Sequence, residues 1–187
     1  MRVISLHTSE QKIIAQAIKK SRKAQEQLYQ LHASKMLSVC RYYINDLQEA
    51  EDVMVTAFFK AFQKLNTYEG EGNFQGWLRR ITVNECISFL RKKKQLSFTD
   101  AIEEYSNNVE NSINNYFDVA EIQEMIDDLP GGYKTVFVLY AIEGYKHQEI
   151  ADMLQISLST SKSQLFKARK VLQEKIKELN TIHNGTR

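Results

Sequence analysis

The aromatic and basic side chains between residues 68 and 94 are the strongest candidates for chemistry in this sequence. Tyr68, Phe74 and Trp77 lie in or beside the glycine-containing segment TYEGEGN, and six of the residues from 79 to 94 are Arg or Lys. An aromatic ring can stack on an unpaired base, which contributes about 1 to 3 kcal/mol per base, and cationic side chains neutralise phosphates. These residue types are therefore chemically capable of stacking on unpaired bases and of neutralising phosphates.

The same residues also have a purely structural interpretation. Phe74 and Trp77 lie at helical spacing and, taken alone, are typical of core residues. The basic run that starts at Arg91 is typical of a solvated helix end, where positive charge is favoured by the helix dipole. Partial burial of the two rings, with one edge exposed, would satisfy both interpretations.

Enzymatic chemistry is not indicated by any cluster of residues. No Gly-rich phosphate loop, nucleophile elbow or pair of catalytic carboxylates occurs, and no Cys or carboxylate group has metal-ligand spacing. The two cysteines, Cys40 and Cys86, are far apart and are interpreted as core thiols. The histidines are scattered at His7, His32, His147 and His183. We therefore expect no catalytic residue, metal, cofactor or small-molecule substrate.

Residues 144–174 carry a second binding pattern. A short apolar face is followed by a possible tight turn at residues 155–157 and then by a longer helical pattern, which together predict a helix-turn-helix. The second helix is expected to bury Leu165, Ala168, Leu172, Ile176 and Leu179 and to expose Lys162, Ser163, Lys167 and Lys170. Short polar side chains at its start suit base edges, and Lys suits phosphates. Alone, such a helix pair is a weak indication of DNA binding.

The elements that must position these residues are predicted to be helices almost throughout. The chain has one Pro and seven Gly, so few positions force a helix to end. The clearest helix runs from about residue 48 to 65, with a cap at Asn45 or Asp46, and another runs from 74 to 94. A short helix and then a long one precede them, and residues 67–73 form a loop. The fold class is all-α: an N-terminal helical bundle and a C-terminal helix-turn-helix domain joined by a flexible linker.

Composition divides the chain into four parts. From residue 95 to 118 the apolar period fails and Asn, Ser, Glu and Asp dominate, which predicts an acidic linker. The bundle then occupies 1–94, the second domain 119–180 and a tail 181–187, with a break expected at Pro130, Gly131 and Gly132. No apolar run approaches the roughly 20 residues needed to cross a bilayer, and the N-terminus does not resemble a signal peptide. We therefore expect a cytoplasmic protein.

The C-terminal half resembles the fourth conserved region of bacterial sigma factors of the extracytoplasmic-function group. The resemblance rests on Leu129-Pro130, Glu143-Gly144, Glu149-Ile150-Ala151, Leu154, Ile156-Ser157, Thr160, Lys162-Ser163 and Lys167-Ala168-Arg169. It implies that the second helix reads the upstream (minus-thirty-five) promoter element through Ser159, Thr160, Lys162, Ser163, Phe166 and Lys167. The sequence departs from the family pattern at Ser159, where the family often has Gly, at Ser161, where it usually has an apolar residue, and at Gln164, where Arg is common.

The N-terminal half resembles the second conserved region of the same family. Its matching residues are Glu49-Ala50-Glu51-Asp52, residues 73–81 (NFQGWLRRI), Asn84 and Arg91. The resemblance implies that the helix with Glu51, Asp52, Val55 and Phe59 docks on a coiled coil of the polymerase's largest subunit. It also implies that the downstream (minus-ten) element is recognised and melted by Tyr68, Asn73, Phe74, Trp77, Arg80, Asn84 and Arg91.

Taken together, the resemblances imply an alternative sigma factor that binds core RNA polymerase and promoter DNA and initiates transcription. An anti-sigma factor is a partner common in the family, although no residue of this chain indicates one. An ordinary helix-turn-helix regulator that acts without polymerase would explain residues 144–174 but not the aromatic loop with its basic helix. A third interpretation makes the N-terminal bundle a protein-interaction module with no DNA role. For a sigma factor we expect weak DNA binding by the free protein, because the acidic linker could screen its basic faces.

Overall fold

The computed structural model describes residues 3–70, 73–93 and 119–185, with side chains described for residues 10–70, 73–93 and 121–179. All regular elements in these ranges are helical, so the predicted all-α class is confirmed. The chain separates into two compact units, Met1–Lys93 and Lys94–Arg187. The predicted linker at 95–118 lies outside the described residues. Over the described ranges, no helix combines the length and the apolar character that a membrane span requires.

Within its described residues, 3–70 and 73–93, the N-terminal unit has four α-helices and one short 3-10 turn. The helices are α1 (Val3–Ile18), α2 (Arg22–Arg41), α3 (Leu47–Gln63) and α4 (Phe74–Lys92), and the 3-10 turn is Leu65–Thr67. Asp46 is the cap of α3, as predicted, since its carboxylate accepts a hydrogen bond from the Glu49 backbone N–H at 2.9 Å. Asn73 caps α4 by accepting from the Gln75 N–H at 2.9 Å.

The core of this unit lies between α2, α3 and α4. On α3 the apolar residues at steps of three and four are buried, and the last of them, Phe62, is half-buried; the buried ones are Ala50, Val53, Met54, Ala57, Phe58 and Ala61. Lys60 pairs with Glu85 at 2.6 Å and Lys93 pairs with Glu49, so the start of α3 lies beside the end of α4 and the two helices are antiparallel. Cys40 and Cys86 are buried free thiols.

The described part of the C-terminal unit, residues 119–185, contains four α-helices and a π turn. The helices are α5 (Val119–Asp127), α6 (Gly131–Phe137), α7 (His147–Leu154) and α8 (Leu158–Gly185), and the π turn is Val138–Ile142. The break expected at residues 130–132 lies earlier, at residues 128–130, because Pro130 is the N-cap of α6 and both glycines lie in its first turn. Helix α8 continues to Gly185, past the predicted domain end at residue 180.

The π turn leads the chain out of α6 and into the helix-turn-helix. The backbone N–H of Glu143 bonds to the Val138 carbonyl at 3.0 Å, and that of Tyr145 bonds to the Leu139 carbonyl at 2.9 Å. Gly144 lies between them at a φ of +78°, a backbone conformation that glycine adopts without steric cost. This turn was not predicted by the apolar pattern, and it places Tyr140 next to α7.

Candidate nucleic-acid interface

Helix α3 presents an exposed row of apolar and acidic side chains. Val55 and Phe59 are 53% and 62% exposed, and Glu51 and Asp52 beside them are exposed as well. Residues 51, 55 and 59 follow at steps of four, so they lie in one line on the helix surface. An exposed apolar patch with a charged rim is typical of a protein-interaction surface. The four residues predicted to contact polymerase are thus brought together; we call them the α3 row.

Glu49, which precedes Glu51 and Asp52 in the motif at residues 49–52, is oriented toward α4 instead. Its carboxylate pairs with the Lys93 ammonium, which also lies 5.5 Å from the centre of the Phe89 ring. Lys93 is one of the six cationic residues between 79 and 94 that the sequence pattern predicts to neutralise phosphates. Because it is already paired within the protein, it is a weaker candidate for that role than its exposed neighbours Arg91 and Lys92.

Three rings from the sequence-predicted site, Tyr68, Phe74 and Trp77, meet where the loop enters α4. The Tyr68 and Phe74 ring centres are 5.4 Å apart, those of Tyr68 and Trp77 5.5 Å, and those of Phe74 and Trp77 5.6 Å. Phe74 is only 3% exposed, whereas Tyr68 and Trp77 are half-buried. The prediction that Phe74 offers a face to a base is therefore wrong for this structure; it supports the other two rings. We call the three residues the aromatic cluster.

A histidine and a glutamate lie behind the aromatic cluster. The His32 ring centre is 5.3 Å from that of Phe74, and His32 Nε2 is 2.7 Å from Glu10 Oε1. Burial, and secondarily the Glu10 carboxylate, raise the pKa of the Tyr68 phenol above its ordinary value, so this hydroxyl stays protonated at neutral pH. Neither Glu10 nor His32 was predicted as a site residue. The available signal was the place of His32 in the buried stripe Leu28, His32, Met36 of α2.

The polar residues predicted for the downstream element lie along α4 and at its start. Trp77, Asn84 and Arg91 follow at steps of seven, which keeps them close to one face of the helix, and Asn84 and Arg91 are exposed. Arg80 is exposed one turn after Trp77. Asn73 is exposed too, although its side-chain oxygen is already used as the α4 cap. The arrangement can stack a base on the half-buried rings and neutralise phosphates beside them.

In the C-terminal unit, α7 and α8 form the predicted helix-turn-helix. Glu149 accepts a hydrogen bond from the Lys146 backbone N–H at 2.8 Å and so caps α7. Gln155 adopts a φ of +56° in the turn, and Ser157 Oγ accepts from the Thr160 N–H at 3.0 Å to cap α8. The turn predicted at residues 155–157 is therefore confirmed.

Thr160 does not lie on the outer face of α8. Its side chain is buried, and its Oγ1 is 2.7 Å from Ser157 Oγ, so the prediction that it contacts DNA is wrong for this structure. Ser159 and Lys162 are exposed, and Ser163, Phe166 and Lys167 are half-buried. Farther along, Leu172, Ile176 and Leu179 are only half-buried, although the sequence predicted a buried stripe.

Two of the three positions that depart from the family pattern in this unit face inward. Ser161 and Gln164 are buried, and Ser161 Oγ is 2.9 Å from His147 Nδ1. The His147 ring stacks on Tyr140 with centres 4.7 Å apart, and the Arg169 guanidinium lies 5.7 Å from the Tyr140 ring centre. Burial, then Lys162 and Arg169, lower the pKa of His147, which favours the neutral imidazole.

Nothing in this arrangement resembles a metal centre. The described side chains contain no group of three or more His, Cys, Asp or Glu residues that could hold a metal ion. Both units instead present exposed cations, short polar side chains and partly exposed rings at their surfaces.

Comparison with known proteins identifies both units. Residues 28–95 match the family model for sigma-70 region 2, and residues 120–172 match that for sigma-70 region 4. The ECF RNA polymerase sigma factor SigW of Bacillus subtilis is 28% identical over 181 residues, which cover 90% of this chain and 97% of that relative. The ECF RNA polymerase sigma-E factor of Escherichia coli K12 is 26% identical over 191 residues, 94% of this chain and 98% of that relative.

A solved structure supports the fold independently. The sigma factor RpoE from Bartonella quintana, in complex with the anti-sigma factor NepR, superposes with a TM-score of 0.50 at 22% sequence identity. The match covers 81% of this chain and 96% of the RpoE chain. With both sigma-70 regions present in order and with relatives that match along nearly their whole length, the chain belongs to the sigma-70 family of RNA polymerase sigma factors, in its extracytoplasmic-function (ECF) group.

Proposed function

We propose that this protein is an alternative sigma factor, which binds core RNA polymerase, directs it to promoters and opens the DNA for initiation. The observation that carries the proposal is that the unit matching region 2 holds both an exposed apolar-acidic row and a partly exposed aromatic cluster. One surface suits a protein partner and the other suits unpaired bases. As an initiation factor it would act in the cytoplasm with the polymerase and would not be an enzyme itself.

The α3 row is proposed to contact the coiled coil of the polymerase's largest subunit. Val55 and Phe59 would supply the buried centre of the contact, and Glu51 and Asp52 its charged rim. Because Glu49 already pairs with Lys93, its role would be to stabilise the unit rather than to bind polymerase.

The N-terminal unit is proposed to recognise and open the downstream element. Tyr68 and Trp77 would stack on bases that leave the duplex. Asn73 would contribute from the loop, while Arg80, Asn84 and Arg91 would hold the strand along α4. Residues 1–94 would form this domain, and the acidic segment at 95–118 would connect it to the second DNA reader.

The C-terminal unit, proposed to span residues 119–180, would read the upstream element with the start of α8. Ser159 and Ser163 can approach base edges, while Lys162 and Lys167 reach phosphates. Phe166, which is half-buried, would offer an apolar contact beside them. An anti-sigma factor is a further proposed partner, since the Bartonella quintana protein of similar fold was solved with one.

The alternative is a helix-turn-helix regulator that binds duplex DNA without polymerase. It would use α7 and α8 in the same way, but it gives no role to the α3 row or the aromatic cluster. The interpretation of the N-terminal unit as a protein-interaction module accounts for the α3 row alone. The sigma factor is the one proposal that uses all three surfaces.

Transcription in vitro tests the proposal directly. Purified protein is added to bacterial core polymerase freed of its housekeeping sigma, with supercoiled promoter fragments as template, and the transcript starts are mapped. A sigma factor gives starts that depend on the protein and share two spaced upstream elements. If the protein neither binds core nor initiates, yet shifts duplex DNA by itself, the regulator is correct.

A further inference from the structure

Helix α1 lies outside the residues that match either sigma-70 region, because the region 2 match starts at residue 28. It nevertheless packs against α2 and against the 3-10 turn Leu65–Thr67, which leads into the aromatic cluster. From α1, the Glu10 side chain reaches across to α2, where its carboxylate accepts a 2.7 Å hydrogen bond from His32 Nε2. Helix α1, which neither sigma-70 region includes, therefore contacts His32, and His32 packs behind the aromatic cluster.

The Glu10 bond fixes the orientation of the His32 ring. His32 is buried, and its second nitrogen, Nδ1, has no hydrogen-bond partner among the described residues. An imidazole ring can turn about its side-chain bonds, and a carboxylate on one nitrogen selects a single orientation and tautomer. Removing the carboxylate therefore removes the polar contact that holds this ring in place.

The His32 ring in turn supports the aromatic cluster. It packs on Phe74 with centres 5.3 Å apart, and Phe74 contacts both Tyr68 and Trp77. Phe74 is buried, whereas its two neighbours are partly exposed. A rotation of His32 would therefore move Phe74 and, through it, the two rings that solvent reaches. Burial and, secondarily, the Glu10 carboxylate raise the pKa of the Tyr68 phenol.

We propose that Glu10 and His32 are positioning residues for promoter opening: they fix Phe74 and, through it, the exposed faces of Tyr68 and Trp77. This inference depends on the proposed function, which it deepens by assigning a role to α1. It requires no contact between α1 and DNA. A small displacement of the two rings should slow promoter opening, because the rings must meet the unpaired bases in one geometry.

The first test uses the free protein and its single tryptophan, Trp77. Glu10→Ala should shift the Trp77 emission and increase its quenching by acrylamide, whereas Glu10→Gln, which keeps the hydrogen-bond acceptor, should behave like the original protein. Glu26→Ala removes an exposed carboxylate from α2 and is the matched control. Thermal melting confirms that each variant is folded. If Glu10→Ala leaves Trp77 unchanged, or if Glu10→Gln is as disturbed as Glu10→Ala, the positioning role is refuted.

The second test uses holoenzyme on a linear duplex promoter and follows the rate of strand opening. Loss of one partly buried, charge-assisted hydrogen bond should slow opening by about 3- to 10-fold in Glu10→Ala, with unchanged affinity for core polymerase. In a background with Trp77→Ala the same change should slow opening by a smaller factor, because part of the effect of Glu10 passes through Trp77. Additive effects would overturn the proposal. If the original protein opens no promoter, the proposed function itself fails, and the fluorescence test still decides whether Glu10 positions Trp77.

Discussion

The α3 row provides the most direct quantitative prediction, the loss of polymerase binding in Phe59→Ala. Phe59 is 62% exposed, which leaves about 120 Å² of a ring whose full burial removes roughly 150 to 250 Å² from water. Covering that area would contribute about 3 kcal/mol. Since alanine retains part of the contact, the variant should lose about 2 kcal/mol, which is about a 30-fold higher Kd for core polymerase. The measurement is a titration of fluorescently labelled protein with core enzyme.

Leu31→Ala is the matched control for this prediction. Leu31 is 50% exposed on α2 and lies outside the α3 row, so its removal should leave core affinity within about twofold. Both side chains are exposed, and neither variant should change the melting temperature appreciably. Equal core affinity of Phe59→Ala and the original protein, or an equal loss in Leu31→Ala, would refute the assignment of the α3 row to polymerase binding.

Three further predictions concern the C-terminal unit. Lys162→Ala should weaken binding to upstream-element duplexes similarly for all sequences. It should also reduce the slope of log affinity against log salt concentration by about 1, as measured by fluorescence anisotropy. An unchanged slope would show that Lys162 does not contact a phosphate. Thr160→Val should lower the free energy of unfolding of the unit by about 1 kcal/mol in chemical denaturation, because the buried hydroxyl is hydrogen-bonded to Ser157. The variant should keep the same DNA sequence preference. A changed preference would show that Thr160 contacts DNA. The pKa of His147 is lower in the folded protein than its ordinary value of 6.5. As the pH falls below 6.5, the unfolded chain therefore binds a proton at this residue before the folded chain does. The free energy of unfolding should be highest above pH 6.5 and should decrease below it. Melting curves between pH 7.5 and 5.5 measure this decrease, and His147→Asn should reduce it; an identical pH dependence in that variant would assign the effect to other groups.

The elements that the sequence predicted well are those whose pattern is local. Helix α3 follows from apolar residues at steps of three and four, and Asp46 was one of two predicted caps because a short acidic side chain suits that position. The helix-turn-helix followed from two apolar faces separated by three residues. In each case the information lies within one or two helical turns of the residue concerned.

What could not be predicted depends on contacts between distant residues. Phe74 and Trp77 carry the same local signal, and only the packing of α2 against α4 decides that the first is buried and the second half-exposed. Thr160 is a short polar residue near the start of α8, which is typical of a base contact, but its side chain is buried and hydrogen-bonded to the Ser157 hydroxyl. The bond between Glu10 and His32 joins two helices and has no periodic signature at all.

The first turns of α8 have a consequence for how promoter preference can change. Thr160, Ser161 and Gln164 are buried, and the Gln164 Oε1 atom has no hydrogen-bond partner among the described residues. Substitutions at these three positions would disturb the fit of α8 against α7. Ser159 and Lys162 are exposed, so they can vary with little effect on folding. Under the proposed role of α8 in promoter reading, new specificities are therefore most accessible through this outer subset, which suits the unit to redesign by a small combinatorial library.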